Sequence, residues 1–392
     1  MIRPLENIKV LDFTLAGAGP SCTKLLAEYG ADVIWVEPVT GTSTRDLFKF
    51  DFYTTGKRSL ALNVKAQKGR DAFLRILSQA DVFVTNYRTA ALERLGFDYP
   101  SLKEVKPDLI YASLTGYGTE GPDADQPGYD PVAFWARGGL LRDFAEKGQL
   151  LVPPVAVGDI AAGQSLAGGV CAALFYRQRT GKGCNIFTSL FAEAIYLNHD
   201  AIVESQFGES YPKSRLAPKR ALLNSYRCAD GKWIVITITS NFDRYFDKLL
   251  IAIGRNDLVG DSRWKCFEDT MYDKAPELVA ILDEAFSKMT QDEAMAALRA
   301  IDVPVSRVQS SVEAMNDPQT IANHYVYPIT SVEGRTLIVP ANPLKFEDIN
   351  SGVVGKERGP MLGEHTVEVL KEYGLSDQDI QDMIDDGTCA IA

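Results

Sequence analysis

Ile8-Lys9-Val10-Leu11-Asp12-Phe13, followed by Gly17-Ala18-Gly19-Pro20-Ser21-Cys22, is the stretch on which the fold turns. The first run is short, largely apolar and rich in β-formers, so it reads as a buried strand. The glycines and proline then turn the chain, and a helix is expected from near Pro20 to Tyr29. This G-x-G lacks the third glycine of the dinucleotide fingerprint, so the turn alone does not make a nicotinamide enzyme. Moving outward, Asp32–Val36 reads as a second strand, Asp81–Thr85 as a third and Leu109–Leu114 as a fourth. Phe73, Ile76, Leu77 and Ala80 recur at helical spacing between them. Strands alternating with helices imply parallel βαβ units, whose ligand sites lie at the carboxyl ends of the strands.

The character changes after about residue 205. Ser225–Cys228 and Lys232–Thr237 flank an Asp-Gly turn and read as a hairpin. Helices are expected at about Phe242–Ile253, Pro276–Met289 and Gln291–Ala300. A second hairpin is expected near Tyr325–Val339, and terminal helices at Glu364–Tyr373 and Ser376–Asp385. The fold class is therefore α/β, a Rossmann-like parallel-sheet large domain with a smaller α+β domain. The large domain takes 1–205, a linker 206–224 and the small domain 225–325; residues 326–392 return to the large domain.

The chain has 392 residues, with 46% hydrophobic and 24% charged residues, as in ordinary globular proteins. Its net charge of −11 argues against nucleic-acid or anionic-membrane binding. No signal peptide or membrane-length apolar run is read, and the cysteines (22, 171, 184, 228, 266, 389) lack C-x-x-C spacing. Reduced thiols in a cytoplasmic protein are expected, with no metal site. His199, His324 and His365 are the only histidines, and none lies in a recognisable triad setting. Chemistry is therefore expected to run through carboxylates.

The carboxylate that stands out is Asp159, in Val155-Ala156-Val157-Gly158-Asp159-Ile160-Ala161-Ala162-Gly163. No other charged residue occurs from Leu150 to Tyr176, and a helix is expected from Ile160 to Arg177. Asp159 reads as the N-cap of that helix, as a nucleophile, or as both. The glycines and alanines after it imply that another backbone or a ligand packs closely. The helix is read as too short in its apolar run to cross a membrane.

Local charge supplies a second signal. Lys57, Arg58, Lys65, Lys68 and Arg70 occur with no intervening acid, and Asn86-Tyr87-Arg88 and Arg94 follow a strand end. These cations are either a phosphate cradle or a solvated basic face. The Gly/Pro-rich stretch 116–130 is a loop, with Phe134-Trp135 beside it as pocket wall or packing.

Taken together, the motifs resemble the class III CoA-transferases, the formyl-CoA and carnitine CoA-transferase type, over nearly the whole chain. The matching pieces are Leu11–Thr14 with Ala18-Gly19-Pro20, Gly56–Ser59 with Leu62–Lys65, Asn86-Tyr87-Arg88 and Leu95-Gly96-Phe97. Gly158-Asp159, Thr180–Gly183 and Leu362–Thr366 continue the match. The resemblance implies that Asp159 is the catalytic nucleophile, forming an aspartyl anhydride and then an aspartyl-CoA thioester. It implies CoA contacts at Gly17, Ala18, Leu62, Asn63, Val64, Lys65, Asn86, Tyr87, Arg88, Arg94, Pro127, Gly128, Tyr129 and Asp130. It further implies an interlocked homodimer, a CoA thioester as substrate and no permanently bound cofactor.

Within the family, Thr115–Gly118, Gly121-Pro122-Asp123 and Ala133–Gly139 look most like enzymes of amino-acid fermentation. Those move CoA from an enoyl- or aryl-acryloyl-CoA to a 2-hydroxy acid. Gly17 replaces a family glutamine, Pro38 a CoA-contacting arginine, and no glycine-rich lid follows Pro218, which argues against oxalate or formate. An α-methylacyl-CoA racemase-like enzyme would need a histidine where Tyr129 stands. A non-catalytic CoA-binding protein is the remaining alternative.

Overall fold

β1 (Lys9–Phe13) is buried from Val10 onward and lies at the middle of the main sheet. The structure is a computed structural model that describes residues 3–46, 50–331, 333–347 and 358–392. After β1 the chain turns into α1 (Ala18–Glu28), runs back as β2 (Asp32–Glu37), and passes through the short helix α2 (Phe50–Thr54) into β3 (Arg58–Leu62). Helix α3 (Gln67–Leu77), β4 (Val82–Thr85), α4 (Thr89–Leu95) and β5 (Ile110–Thr115) follow. A long helix, Val157–Thr180, leads into β6 (Cys184–Ser189).

The spatial order is β12-β3-β2-β1-β4-β5-β6, where β12 (Cys389–Ala390) is the single antiparallel member. Register is set by the apolar residues, with Leu11 beside Ile34 on one side and Phe83 on the other. Chain order reverses between β1 and β4. In a parallel sheet that reversal opens a crevice at the strand carboxyl ends, because the connections leave to opposite faces. The aromatic core beneath includes Phe13, Phe73, Phe83 and Phe97, with the Phe73 and Phe97 rings stacked at 4.1 Å.

Strand β3 is absent from the sequence reading, which treats Lys57–Arg70 as a charged stretch. Its polar start is neutralised from afar. Arg58 pairs with Asp32, with Glu372 at 2.7 Å and with Glu368 at 3.2 Å, leaving Leu60, Ala61 and Leu62 in the core.

The long helix corrects a second expectation. Its 24 residues reach a mean hydropathy of 1.3 over an 18-residue window, enough by length and composition to cross a membrane. In this fold its small residues let it pack on α1. A Cβ on Gly163 would lie 2.6 Å from the Ser21 Cβ and 2.7 Å from the Ala18 carbonyl oxygen. Glycine costs about 1 kcal/mol relative to alanine within a helix, and close helix–helix approach offsets it.

Contacts divide the chain into two units. One comprises 1–140, 152–199 and 321–392, and includes the antiparallel hairpin β10 (Val326–Thr330)–β11 (Thr336–Pro340). The other comprises 141–151 and 200–320. In that unit β7 (Leu223–Arg227) and β8 (Trp233–Thr237) form the hairpin around Asp230-Gly231, and β9 (Val305–Arg307) adds to β8. Helices Phe242–Ala252, Ala275–Phe286 and Gln291–Ala300 cover that sheet around a separate core holding Tyr226 and Phe286. The contact boundary falls at Asp200, somewhat before the change in composition at about 205.

Candidate active site at the sheet crevice

Ala156, in the left-handed conformation at φ +72°, starts the long helix, so Asp159 is its third residue and not its cap. Asp130 takes the capping role from another part of the chain. Its Oδ1 accepts the Gly158 N–H at 3.1 Å, in a buried contact. Asp130 opens a π-helical turn, Asp130–Ala136, and is 2% exposed. Helix N-termini favour negative charge, because the first amides lack intrahelical acceptors. Two carboxylates therefore stand at the start of one helix, one buried as a clamp and the other partly exposed.

Asp159 rests against the turn after β1. A Cβ built on Gly17 would come 2.3 Å from Asp159 Oδ2, so a side chain at position 17 would push that carboxylate from its present place. The turn is tied to the end of β4 by Asn86, whose amide accepts the Leu15 N–H at 2.9 Å and donates to the Leu15 carbonyl at 2.7 Å. Below it, Asp12 and Lys57 form a fully buried ion pair at 3.0 Å. Thr14 and Thr23 donate to Asp12 at 2.6 and 2.5 Å, and Lys57 also donates to the Pro20 carbonyl at 3.2 Å. Burial pulls the Lys57 ammonium down from its ordinary value, and Asp12 opposes that pull.

Asp159 lines two cavities. The larger, about 430 Å³, runs past Ala18, Asn86, Tyr87, Arg88, Arg94, Pro127, Gly128 and Tyr129. The smaller, about 190 Å³, is walled by Pro20, Trp35, Phe50, Tyr53, Asp130 and Val155, and includes Gly17. Leu15, Ala16, Tyr129 and Asp159 belong to both. Among the described residues, no histidine lines either one.

Most of the expected CoA contacts thus meet at one crevice, but Leu62, Asn63, Val64 and Lys65 line neither cavity. β3 lies two strands from the crevice. Leu62 is buried and pairs with Cys389, the Asn63 N–H donates to the Thr388 carbonyl at 2.7 Å, Val64 packs on the core, and Lys65 is exposed.

The basic cluster also divides. Lys57 and Arg58 are spent in the ion pairs above, and Lys68 is paired with Asp386 at 2.7 Å. Arg70 donates to the Leu95 carbonyl and covers the Phe97 ring. Arg88 and Arg94 are exposed and make no ion pair among the described residues, and they are the two of this cluster that line the larger cavity. Tyr87 stacks on Phe13 at 4.5 Å while still lining the larger cavity. Trp35, Phe50 and Tyr53 are missing from the sequence reading, although the run Phe50-Asp51-Phe52-Tyr53 is an aromatic signal.

A carboxylate at a helix start, between a cationic cavity and an aromatic one, suits acyl transfer from a phosphate-bearing carrier. Comparison with known proteins agrees. The family model described as CoA-transferase family III matches residues 5–366. The (R)-2-hydroxy-4-methylpentanoate CoA-transferase of Clostridioides difficile is 35% identical over 97% of this chain and 98% of its own length. The cinnamoyl-CoA:phenyllactate CoA-transferase of Clostridium sporogenes is 33% identical over 96% and 95%. The crystal structure of a CAIB/BAIF family protein from Brucella suis, 28% identical, superposes with a TM-score of 0.81 over 95% of this chain and 100% of that one. With the crevice, the carboxylate and the whole-length match in agreement, the chain belongs to CoA-transferase family III and is a CoA-transferase.

Proposed function

We propose that the enzyme moves CoA from an enoyl- or aryl-acryloyl-CoA to a 2-hydroxy acid, with Asp159 as the nucleophile. The observation that carries this reading is the position of Asp159 on the walls of both cavities. An Asp159 oxygen attacks the thioester carbonyl, the C–S bond breaks, and a mixed anhydride and CoA thiolate result. The thiolate attacks the aspartyl carbonyl, releasing the first acid as its carboxylate and leaving an aspartyl-CoA thioester. The incoming carboxylate attacks that thioester to give a second anhydride and thiolate. Thiolate attack at the acyl carbonyl of that anhydride then gives the new acyl-CoA and regenerates the Asp159 carboxylate. One thioester is traded for another, so no ATP is consumed.

Arg88 and Arg94 hold CoA phosphates in the larger cavity, and the apolar walls of the smaller one take the acyl chain. The printed activities of the two clostridial relatives support a 2-hydroxy acid as acceptor. The same reading makes the protein a cytoplasmic homodimer, with exposed Phe175, Phe187 and Tyr196 covered by the second copy. Incubation with acyl-CoA followed by hydroxylamine should leave a modification at Asp159, detected by mass spectrometry. An Asp159→Ala enzyme that transfers CoA at the wild-type rate would end the proposal.

A further inference from the structure

The smaller cavity is mostly apolar, and its polar hydrogens are largely committed. The Trp35 indole donates to the Thr14 carbonyl at 3.1 Å, and the Thr54 hydroxyl to the Phe50 carbonyl at 2.9 Å. The Thr44 hydroxyl shares a hydrogen bond with Thr42 at 2.7 Å. Tyr129 is 62% exposed and therefore solvated. Tyr53 differs. Its side chain is 6% exposed and lines the cavity, and its hydroxyl makes no hydrogen bond among the described residues. The ring is held by an edge-on contact with Phe52 at 5.1 Å.

Burial, with Asp159 and Asp130 nearby, pushes the Tyr53 phenol up to about 12, so it carries its proton at any pH where the enzyme works. A phenol that lines a cavity and has no acceptor among the described residues can donate to an oxygen that a ligand brings there.

We propose that Tyr53 is the specificity residue that donates a hydrogen bond to the 2-hydroxyl of the acceptor acid. An acid joined to Asp159 through the shared anhydride oxygen carries its 2-oxygen two bonds beyond its own carboxyl carbon, on the side of the chain that enters the smaller cavity. An enoyl group has no oxygen there. Tyr53 thereby separates the two acids that the enzyme exchanges, an assignment that rests on the 2-hydroxy acid reading above.

The test compares kcat/KM for CoA transfer from one enoyl-CoA donor to 2-hydroxy-4-methylpentanoate and to 4-methylpentanoate. Both acids are run with the wild type and with Tyr53→Phe, after matched melting curves. The expected result is that the hydroxy-to-deoxy ratio falls about tenfold to a hundredfold in the variant. An unchanged ratio overturns the inference, even if both rates drop together. A wild type that transfers CoA to neither acid sinks the proposed reaction and this inference with it.

Discussion

Gly17 and Asp159 are in contact through the space that a side chain at position 17 would fill: a Cβ there would lie 2.3 Å from Asp159 Oδ2. Gly17→Ala should therefore move the carboxylate off its seat. We expect kcat to fall about a hundredfold with little change in melting temperature, since a misplacement of about 1 Å has that effect. Steady-state kinetics beside a thermal melt checks it, and an undiminished kcat would contradict the close packing.

Asp130 clamps the same helix through Gly158. Asp130→Ala should destabilise the protein by about 1–2 kcal/mol, as loss of a helix cap does. Asp130→Asn keeps an acceptor oxygen and should recover much of that loss in urea denaturation. Equal losses in the two variants would show that the amide contact carries no stability.

Lys57 was a candidate phosphate ligand by sequence and is instead half of a buried pair with Asp12. Lys57→Met alone should cost about 3–5 kcal/mol, because it strands a buried carboxylate. The double variant Asp12→Asn, Lys57→Met should be more stable than the Lys57→Met single. Denaturant midpoints measure both, and an additive double variant would refute the pairing.

The proposed function gives Arg88 and Arg94 the CoA phosphates. Replacing either with alanine should weaken CoA binding about tenfold and flatten its salt dependence. Titration calorimetry at low and high salt reads this directly. Lys68→Ala, whose charge is spent on Asp386, should leave affinity unchanged.

Arg358 bonds both carboxylate oxygens of Glu364, at 2.8 and 3.0 Å, and this holds the Glu364 carboxyl down at about 2. A folded value below the unfolded one means stability that is present above about 4.5 and lost as pH falls toward 2. The wild type should exceed Glu364→Gln by about 1 kcal/mol at neutral pH. The gap should close on acidification, and a constant gap would refute the linkage.

Much of the α/β layout was legible because β1, β2, β4 and β5 are continuous apolar runs with glycine or helical spacing between them. β3 was hidden, since the partners that neutralise Arg58 are Asp32, on another strand, and Glu368 and Glu372, more than 300 residues away. The same non-locality divided the cations. Which of Lys57, Arg70, Arg88 and Arg94 faces a ligand depends on partners that no local window contains. Asp159 was legible as an isolated carboxylate at a helix start. Its cap was not, because Asp130 reaches it across 28 residues of chain. The smaller cavity draws on five separated segments, so only its aromatic run at Phe50–Tyr53 left a trace.

Gly163 lies one helical turn beyond Asp159, notched against Ser21 and the Ala18 carbonyl oxygen. A helix so keyed to its neighbour can neither roll nor slide by a fraction of a turn without collision. The notch works as an indexing pin, delivering the Asp159 carboxylate to one angular setting relative to the turn after β1. Precision at the crevice is thus machined in part into a helix–helix joint.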